Sequence, residues 1–312
     1  MLESVDIITV GEGLVELSCE TSLKFAQSFD KFYGGDSLTT AISALRMGSN
    51  AMYITKLGSD NFCEFLLEAW GCEGLNTSQV KLTNGQNGIY FIGKKDNNPE
   101  FMFYRNKTAG MQLCVDDINF DCIKNAKCVY ATGFVQSLSL CVKEAVKEIF
   151  KFAKENDVLV AYDPNIHPSV MSQQSAQEAF DEVAQYIDIM FLNTKVDSKV
   201  LFETQSVDRI LQVLSDRGIQ VKVIREHKNG IHIQNSINHT FVEYKNDNVV
   251  DDTGWEDAFN GAFLSYYLKG NDTIKCAQLA NALSLLQIQK VGAIKSIPNK
   301  IDTEKLCGEL YG

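Results

Sequence analysis

The chain has 312 residues, 45% hydrophobic and 22% charged, with a formal net charge of −11. That length is enough for one large core, alone or with a small accessory unit. The acidic balance gives no electrostatic reason to bind nucleic acid or an anionic membrane, so an anionic ligand must be held by local donors against the overall field.

The run "VDIITV" (5–10) reads as a first strand. The N-terminus lacks the basic region and the long apolar region of a signal peptide. No apolar run approaches the ~18 residues that a membrane span needs. The GxG at Gly11–Gly13 is a weak signal, because Glu16 stands where a dinucleotide fingerprint needs its third glycine. Residues 12–33 hold no clean helix. In "YGGDSLTTAISALRMG" (33–48), Gly34 and Gly35 allow close backbone approach or a positive φ. Asp36 is then expected to cap a helix whose apolar face is Leu38, Ala41, Ile42 and Leu45. After a strand at 51–57, residues 86–105 give two alternating strands, "NGIYFIGKK" and "EFMFYRN", joined by the turn-rich "DNNP". They predict a small antiparallel sheet at the rim of the main body, placed as a lid. In "FYRNKTAG" (103–110), Arg105 leaves this sheet flanked by aromatics. It reads either as a bidentate partner for carboxylate or phosphate, or as a solvated edge-strand arginine.

Four later runs, at 127–134, 158–165, 187–193 and 221–226, are nearly continuous apolar strands, as expected for strands covered on both faces. Helical patterns at 142–149, 259–266 and 273–288 accompany them. The alternation predicts an α/β fold, a parallel sheet wound on both sides. Ligands of such sheets sit beyond the carboxyl ends of the strands. This points to Gly11–Glu12, Thr132, Asp163, Asn165, Asn193, Arg225–His227 and the segment 251–257.

In that last segment, "DDTGWEDAFNGAF" (251–263), Thr253 or Asp252 is expected to cap a helix starting near Gly254. The first N–H groups of a helix lack internal partners and carry the positive end of its dipole, so they can hold a developing phosphate charge. Asp257, in the first turn, is placed to accept a proton from a hydroxyl. The plain alternative is an N-cap with acidic residues near the dipole. There is no P-loop motif, the four histidines show no metal-ligand spacing, and the nine cysteines form no C-x-x-C pair. Reduced thiols in a cytosolic protein, with no tightly bound metal, are the expectation.

Taken in order, "GEGLVEL", "GGDSLTTAISALRMG", "TKLGSDNF", "FYRNKTAG", "DPNIHPSV", "DDTGWEDAFNGAF" and "ANALSLLQIQKVGA" resemble the ribokinase/pfkB family of carbohydrate kinases, and within it the 2-keto-3-deoxygluconate kinase and fructokinase branch. The resemblance covers essentially the whole chain. It implies one ribokinase-like three-layer α/β/α domain over 1–312, mostly parallel, with a lid formed by about 12–35 and 86–112. It also implies ATP-dependent phosphorylation of a sugar or sugar acid, with Mg²⁺ accompanying the ATP, and a homodimer through the lid is a reasonable expectation. Asp257 falls on the catalytic base, and Gly254, Trp255, Glu256 and Asp257 on the anion hole. Glu16, Gly34, Gly35, Thr39, Tyr90, Phe103, Arg105 and His167 fall on the substrate side. Asn193, Arg225, His227, Gly230, Asn281 and Gly292 fall on the nucleotide side.

The departures cluster. Thr39 replaces an Asn, Phe103 a Tyr and His167 an Arg of that pattern. Val196 stands in place of the Glu of N-x-x-E, His227 replaces a glycine, and G-A-G-D reads Gly254-Trp255-Glu256-Asp257. A carboxylate ~4 Å from a phosphate oxygen costs on the order of 4 kcal/mol at an effective dielectric near 20. Glu256 therefore repels the phosphate, folds back onto the amides, or ligates Mg²⁺. Trp255 blocks the pocket or stacks on a ligand. An active kinase and a catalytically impaired ligand-binding relative both stay open at this point.

Overall fold

The computed structural model describes residues 5–95, 98–226, 229–244 and 248–312. Its strands, in chain order, are β1 Val5–Val10, β2 Leu14–Ser18, β3 Asp30–Gly34, β4 Ala51–Gly58, β5 Val80–Thr83, β6 Gly88–Lys95, β7 Asn98–Tyr104, β8 Ala126–Thr132, β9 Leu159–Asp163, β10 Ile189–Asn193, β11 Val221–Glu226, β12 Gly230–Gln234 and β13 His239–Glu243. Nine of these form one sheet in the order β13-β12-β11-β10-β9-β8-β1-β4-β5. From β11 to β5 every pairing is parallel, and β12 and β13 add an antiparallel edge. The remaining four form the lid in the order β3-β2-β6-β7, where β2–β3 and β6–β7 are antiparallel and β2–β6 is parallel.

The helices are α1 Asp36–Arg46, α2 Cys63–Cys72, α3 Phe120–Lys124, α4 Gly133–Gln136, α5 Leu140–Glu155, α6 Gln173–Val183, α7 Asp197–Phe202, α8 Val207–Asp216, α9 Trp255–Tyr267, α10 Thr273–Gln287 and α11 Lys300–Tyr311. They cover both faces of the large sheet, and β10 shows why its sequence carries almost no polar residue. Met190 and Leu192 enter a core with Phe150 of α5 and Phe180 of α6, while Ile189 and Phe191 enter one with Phe259 and Phe263 of α9. A strand buried on both faces must be apolar at every position. Each such side chain contributes ~1.5–3 kcal/mol by leaving water. The late helix α10 packs between α9 and α11 and starts where the Asp272 carboxylate accepts the N–H groups of Ile274 and Lys275.

Register fixes the site. Thr132 pairs with Asp163, and Asn193 with Arg225, at the carboxyl ends of adjacent strands. The chain after β1 brings Glu12 to the same edge, and α9 starts over it.

Candidate active site

Helix α9 begins at Trp255, after Gly254 with φ +70. The expected caps are not used. Thr253 donates its own N–H and hydroxyl to Asp251 Oδ1, at 3.0 and 2.6 Å, and the other Asp251 oxygen accepts the Gly292 N–H at 2.8 Å. Asp251 is thus spent on tying two loops together, and Gly254 has no side chain to cap with. Trp255 N–H reaches only the Asp252 carbonyl, at 3.5 Å. Among the described residues, no acceptor takes the N–H of Gly254, Glu256 or Asp257. In the same turn, Asn165 Nδ2 donates to Asp257 Oδ1 at 2.9 Å, and Thr40 donates to the Asp257 carbonyl at 3.1 Å. Asn165 adopts φ +42, a left-handed conformation that Asn tolerates better than most residues, and Asp163 Oδ1 accepts its N–H. Burial, then the nearby carboxylates of Asp36, Asp163 and Glu256, hold the Asp257 pKa well above the ordinary range, with Arg225 opposing. The result is a more proton-avid base than a surface aspartate.

Glu256 does not fold back over the free amides. Its Oε2 accepts from Asn193 Nδ2 at 3.3 Å, and its Oε1 lies 3.3 Å from Arg225 Nε, close enough for an ion pair but without hydrogen-bond alignment. Arg225 is only 1% exposed, and its other nitrogens donate to Asp163 Oδ2 (2.7 Å) and Asn260 Oδ1 (2.6 Å). The arginine that the family resemblance put on the nucleotide side therefore turns inward, as counter-ion to two carboxylates. Asn193 accepts the Val196 N–H at 2.8 Å, and Val196 packs against the core and offers no oxygen. Its neighbour Asp197 is fully buried and accepts the N–H groups of Ile166 and Asn193, at 3.0 and 2.9 Å, clamping the chain beyond β9 to the end of β10.

A cavity of about 250 Å³ lies between the lid and this helix end. Its lining includes the polar Asp36, Thr39, Asn165 and Asp257 and the rings of Tyr90, Phe103, Phe134 and His167. Asp36 does not cap α1 from the preceding position. It opens the helix, with Oδ1 on the Ser37 N–H and Oδ2 taken by the Thr132 hydroxyl. Phe103 stacks on Tyr90 at 5.8 Å, and His167 lies 4.7 Å from Phe134. Burial, reinforced by Arg105, lowers the His167 pKa to about 4, so the ring is neutral at physiological pH. Arg105 is already paired: its Nε donates to Glu12 Oε2 at 2.7 Å and its guanidinium lies 3.8 Å over Phe134. Gly34 and Gly35 serve close packing within the protein. A Cβ would meet the Tyr90 hydroxyl at 2.1 Å from Gly34, and the Glu12 carbonyl at 2.4 Å from Gly35, where φ is +134.

Glu16 and Tyr90 face each other across β2 and β6, and the tyrosine hydroxyl donates to the carboxylate. Burial raises Glu16 to about 7. Glu16 and Gly292 border a second cavity of about 310 Å³ beside the first, between the lid and the loops at 249–253 and 291–295. Gly230 begins β12 opposite Glu226. Asn281 lies apart from both cavities. Its Nδ2 donates to Tyr311 Oη at 2.6 Å, and its buried Oδ1 has no partner among the described residues. His227 lies outside the described residues.

Residues 2–300 match the profile of pfkB family carbohydrate kinases. The chain belongs to that family. A 2-dehydro-3-deoxygluconokinase of Thermoproteus tenax is 26% identical over 98% of this chain and 95% of its own length. Fructokinase-1 of Zea mays is 27% identical, covering 96% and 97%. The crystal structure of a fructokinase with bound ATP from Xylella fastidiosa superposes with a TM-score of 0.84 at 20% identity, over 97% of this chain and 98% of that one, and shares its fold. In this pfkB-family chain, Glu12, Asp163 and Asp197 organise the site; the sequence singled out Glu12 and Asp163 only as strand-end positions, and Asp197 not at all. Their one signal is a carboxylate at or just beyond the end of an apolar strand.

Proposed function

We propose that this protein transfers the γ-phosphoryl group of ATP to a hydroxyl of a sugar or sugar acid, with Asp257 as general base and the amides of 254–257 as the anion hole. One observation carries the reading: unpaired N–H groups and a proton-avid carboxylate share one helix turn at the edge of a cavity of about 250 Å³. Ligand pockets typically span about 300–1,000 Å³, so this one suits a monosaccharide.

Asn165 fixes one oxygen of Asp257 and leaves Oδ2 to take the hydroxyl proton as the oxygen attacks phosphorus. The amides point at the charge that grows on the transferring group. Positioning and charge stabilisation supply most of the rate in such transfers. No cluster of three metal-binding side chains exists among the described residues. In this reading Mg²⁺ arrives with ATP, held mainly by the nucleotide's phosphates and water, its usual mode with such substrates.

The test is incubation with ATP, Mg²⁺ and a panel of hexoses, ketoses and sugar acids, read as a mass gain of one phosphoryl group. The reading expects at least one phosphorylated product, lost in Asp257→Asn. A folded protein that leaves the whole panel unchanged contradicts it. The competing reading, a ligand-binding relative without catalysis, draws on Val196 and Glu256; it expects sugar binding with no ATP consumption. A second copy of the chain is the partner we propose for β7, a lid edge strand with Phe101, Met102 and Tyr104 exposed. Sedimentation equilibrium reads that directly, and a strictly monomeric protein contradicts it.

A further inference from the structure

We infer that Arg225 is a positioning residue for the anion hole: it holds the Glu256 carboxylate away from the α9 amides, so the hole stays open although a carboxylate grows from its centre. This deepens the kinase reading and rests on it.

Alone, Glu256 would take a different position. An acidic side chain in the first turn of a helix is drawn to the free N–H groups and the positive dipole end. Among the described residues no acceptor takes the N–H groups of Gly254, Glu256 or Asp257, and the carboxylate is elsewhere. Arg225 Nε and Asn193 Nδ2 each lie 3.3 Å from it, on the sheet side of the helix. The guanidinium cannot follow a moving glutamate, because Asp163 and Asn260 hold its two terminal nitrogens at 2.7 and 2.6 Å. Among the described residues its Nε has no hydrogen-bond partner, so that edge of the cation is not spent on another group, and the Glu256 carboxylate lies 3.3 Å from it. Around this cation stand the carboxylates of Asp163, Asp197 and Glu256, with Asp257 in the same field. Removing the cation leaves only the long Asn193 contact, at 3.3 Å, to hold Glu256 against the pull of the helix amides and dipole, and those amides are the ones a phosphate needs.

The experiment is a cycle of Arg225→Met, Glu256→Gln and the double variant, with MgATP affinity by calorimetry and stability by urea unfolding. Arg225→Met is expected to weaken MgATP by at least about tenfold, the usual scale for stranding a buried charge. Glu256→Gln is expected to tighten it by about threefold or more, since a like charge leaves the phosphate site. The double variant is expected within about threefold of wild type for MgATP while staying less stable in urea, because Asp163 still lacks its partner. A merely structural role for Arg225 predicts no such rescue. A double variant that binds as weakly as Arg225→Met overturns the inference, and so does a Glu256→Gln variant that binds MgATP more weakly than wild type. If Arg225→Met does not fold, Arg225→Lys takes its place in the cycle, with weaker MgATP binding and its rescue by Glu256→Gln as the expected results. Wild type that shows no MgATP binding removes the kinase reading itself, and the inference falls with it; binding with a failed rescue removes only the inference.

Discussion

Glu16 offers the sharpest test of the lid. It is 2% exposed, its carboxylate accepts from Tyr90, and folding raises its pKa from 4.5 to about 7. Burial is the main cause, outweighing the tyrosine's donation, and Asp251 adds to the rise. Below pH 4.5 both the folded and unfolded chains carry the proton, and the full stability is present. Between 4.5 and 7 the unfolded chain releases it while the folded chain keeps it, so stability falls as pH rises, by about 3 kcal/mol in all. Above 7 both forms are ionised and this contribution is flat. Glu16→Gln keeps an acceptor for Tyr90 and removes the titration. Urea unfolding of both proteins at pH 4.5, 6 and 7.5 should show wild type losing about 3 kcal/mol relative to the variant across the range. A difference that changes by less than about 1 kcal/mol, or has the opposite sign, would refute the assignment of a buried, desolvated Glu16.

Asp257→Asn should lower kcat by about a hundred- to ten-thousandfold with little change in the KM for ATP, read by coupled ADP release. A loss under about tenfold contradicts its role as base. Asp197→Asn sets an NH₂ group against one of two buried N–H donors, Ile166 and Asn193. It should cost about 1–3 kcal/mol in urea unfolding, and an unchanged midpoint would show that the clamp is not formed. Gly35→Ala places a methyl group 2.4 Å from the Glu12 carbonyl at φ +134. The 12–13 turn must shift, and we expect a stability loss of about 1–3 kcal/mol together with weaker sugar binding by calorimetry.

The central strands were legible because burial on both faces leaves an uninterrupted apolar signature, as in β10. Lid strands β2 and β3 were not: they are short and partly exposed, with polar residues such as Glu16, Asp30 and Lys31. The positive φ at Gly35 and the start of α9, with Asp257 in its first turn, were legible from local chemistry. The fate of Glu256 was not, although half of the answer lay in strand parity. Arg225 shares parity with Val223, Asp163 with Ala161 and Asn193 with Phe191, and all three partners face the α9 core. Alternation alone sets these polar groups on one face of the sheet. Which strand lies beside which comes only from the topology, and it brings Arg225 to within 3.3 Å of Glu256. The failure of Asp252 and Thr253 to cap α9 has a similar origin: Asp251 claims Thr253 because Gly292, distant in sequence, lies against it.

The account stands on an open anion hole at the start of α9. Calorimetric titration of MgATP into the wild-type protein, with Asp257→Asn alongside, tests it most directly. The account predicts saturable one-to-one binding that persists in Asp257→Asn, because the amides and not the carboxylate hold the phosphates. Absence of binding at several millimolar MgATP, from protein shown to be folded by circular dichroism, would contradict it.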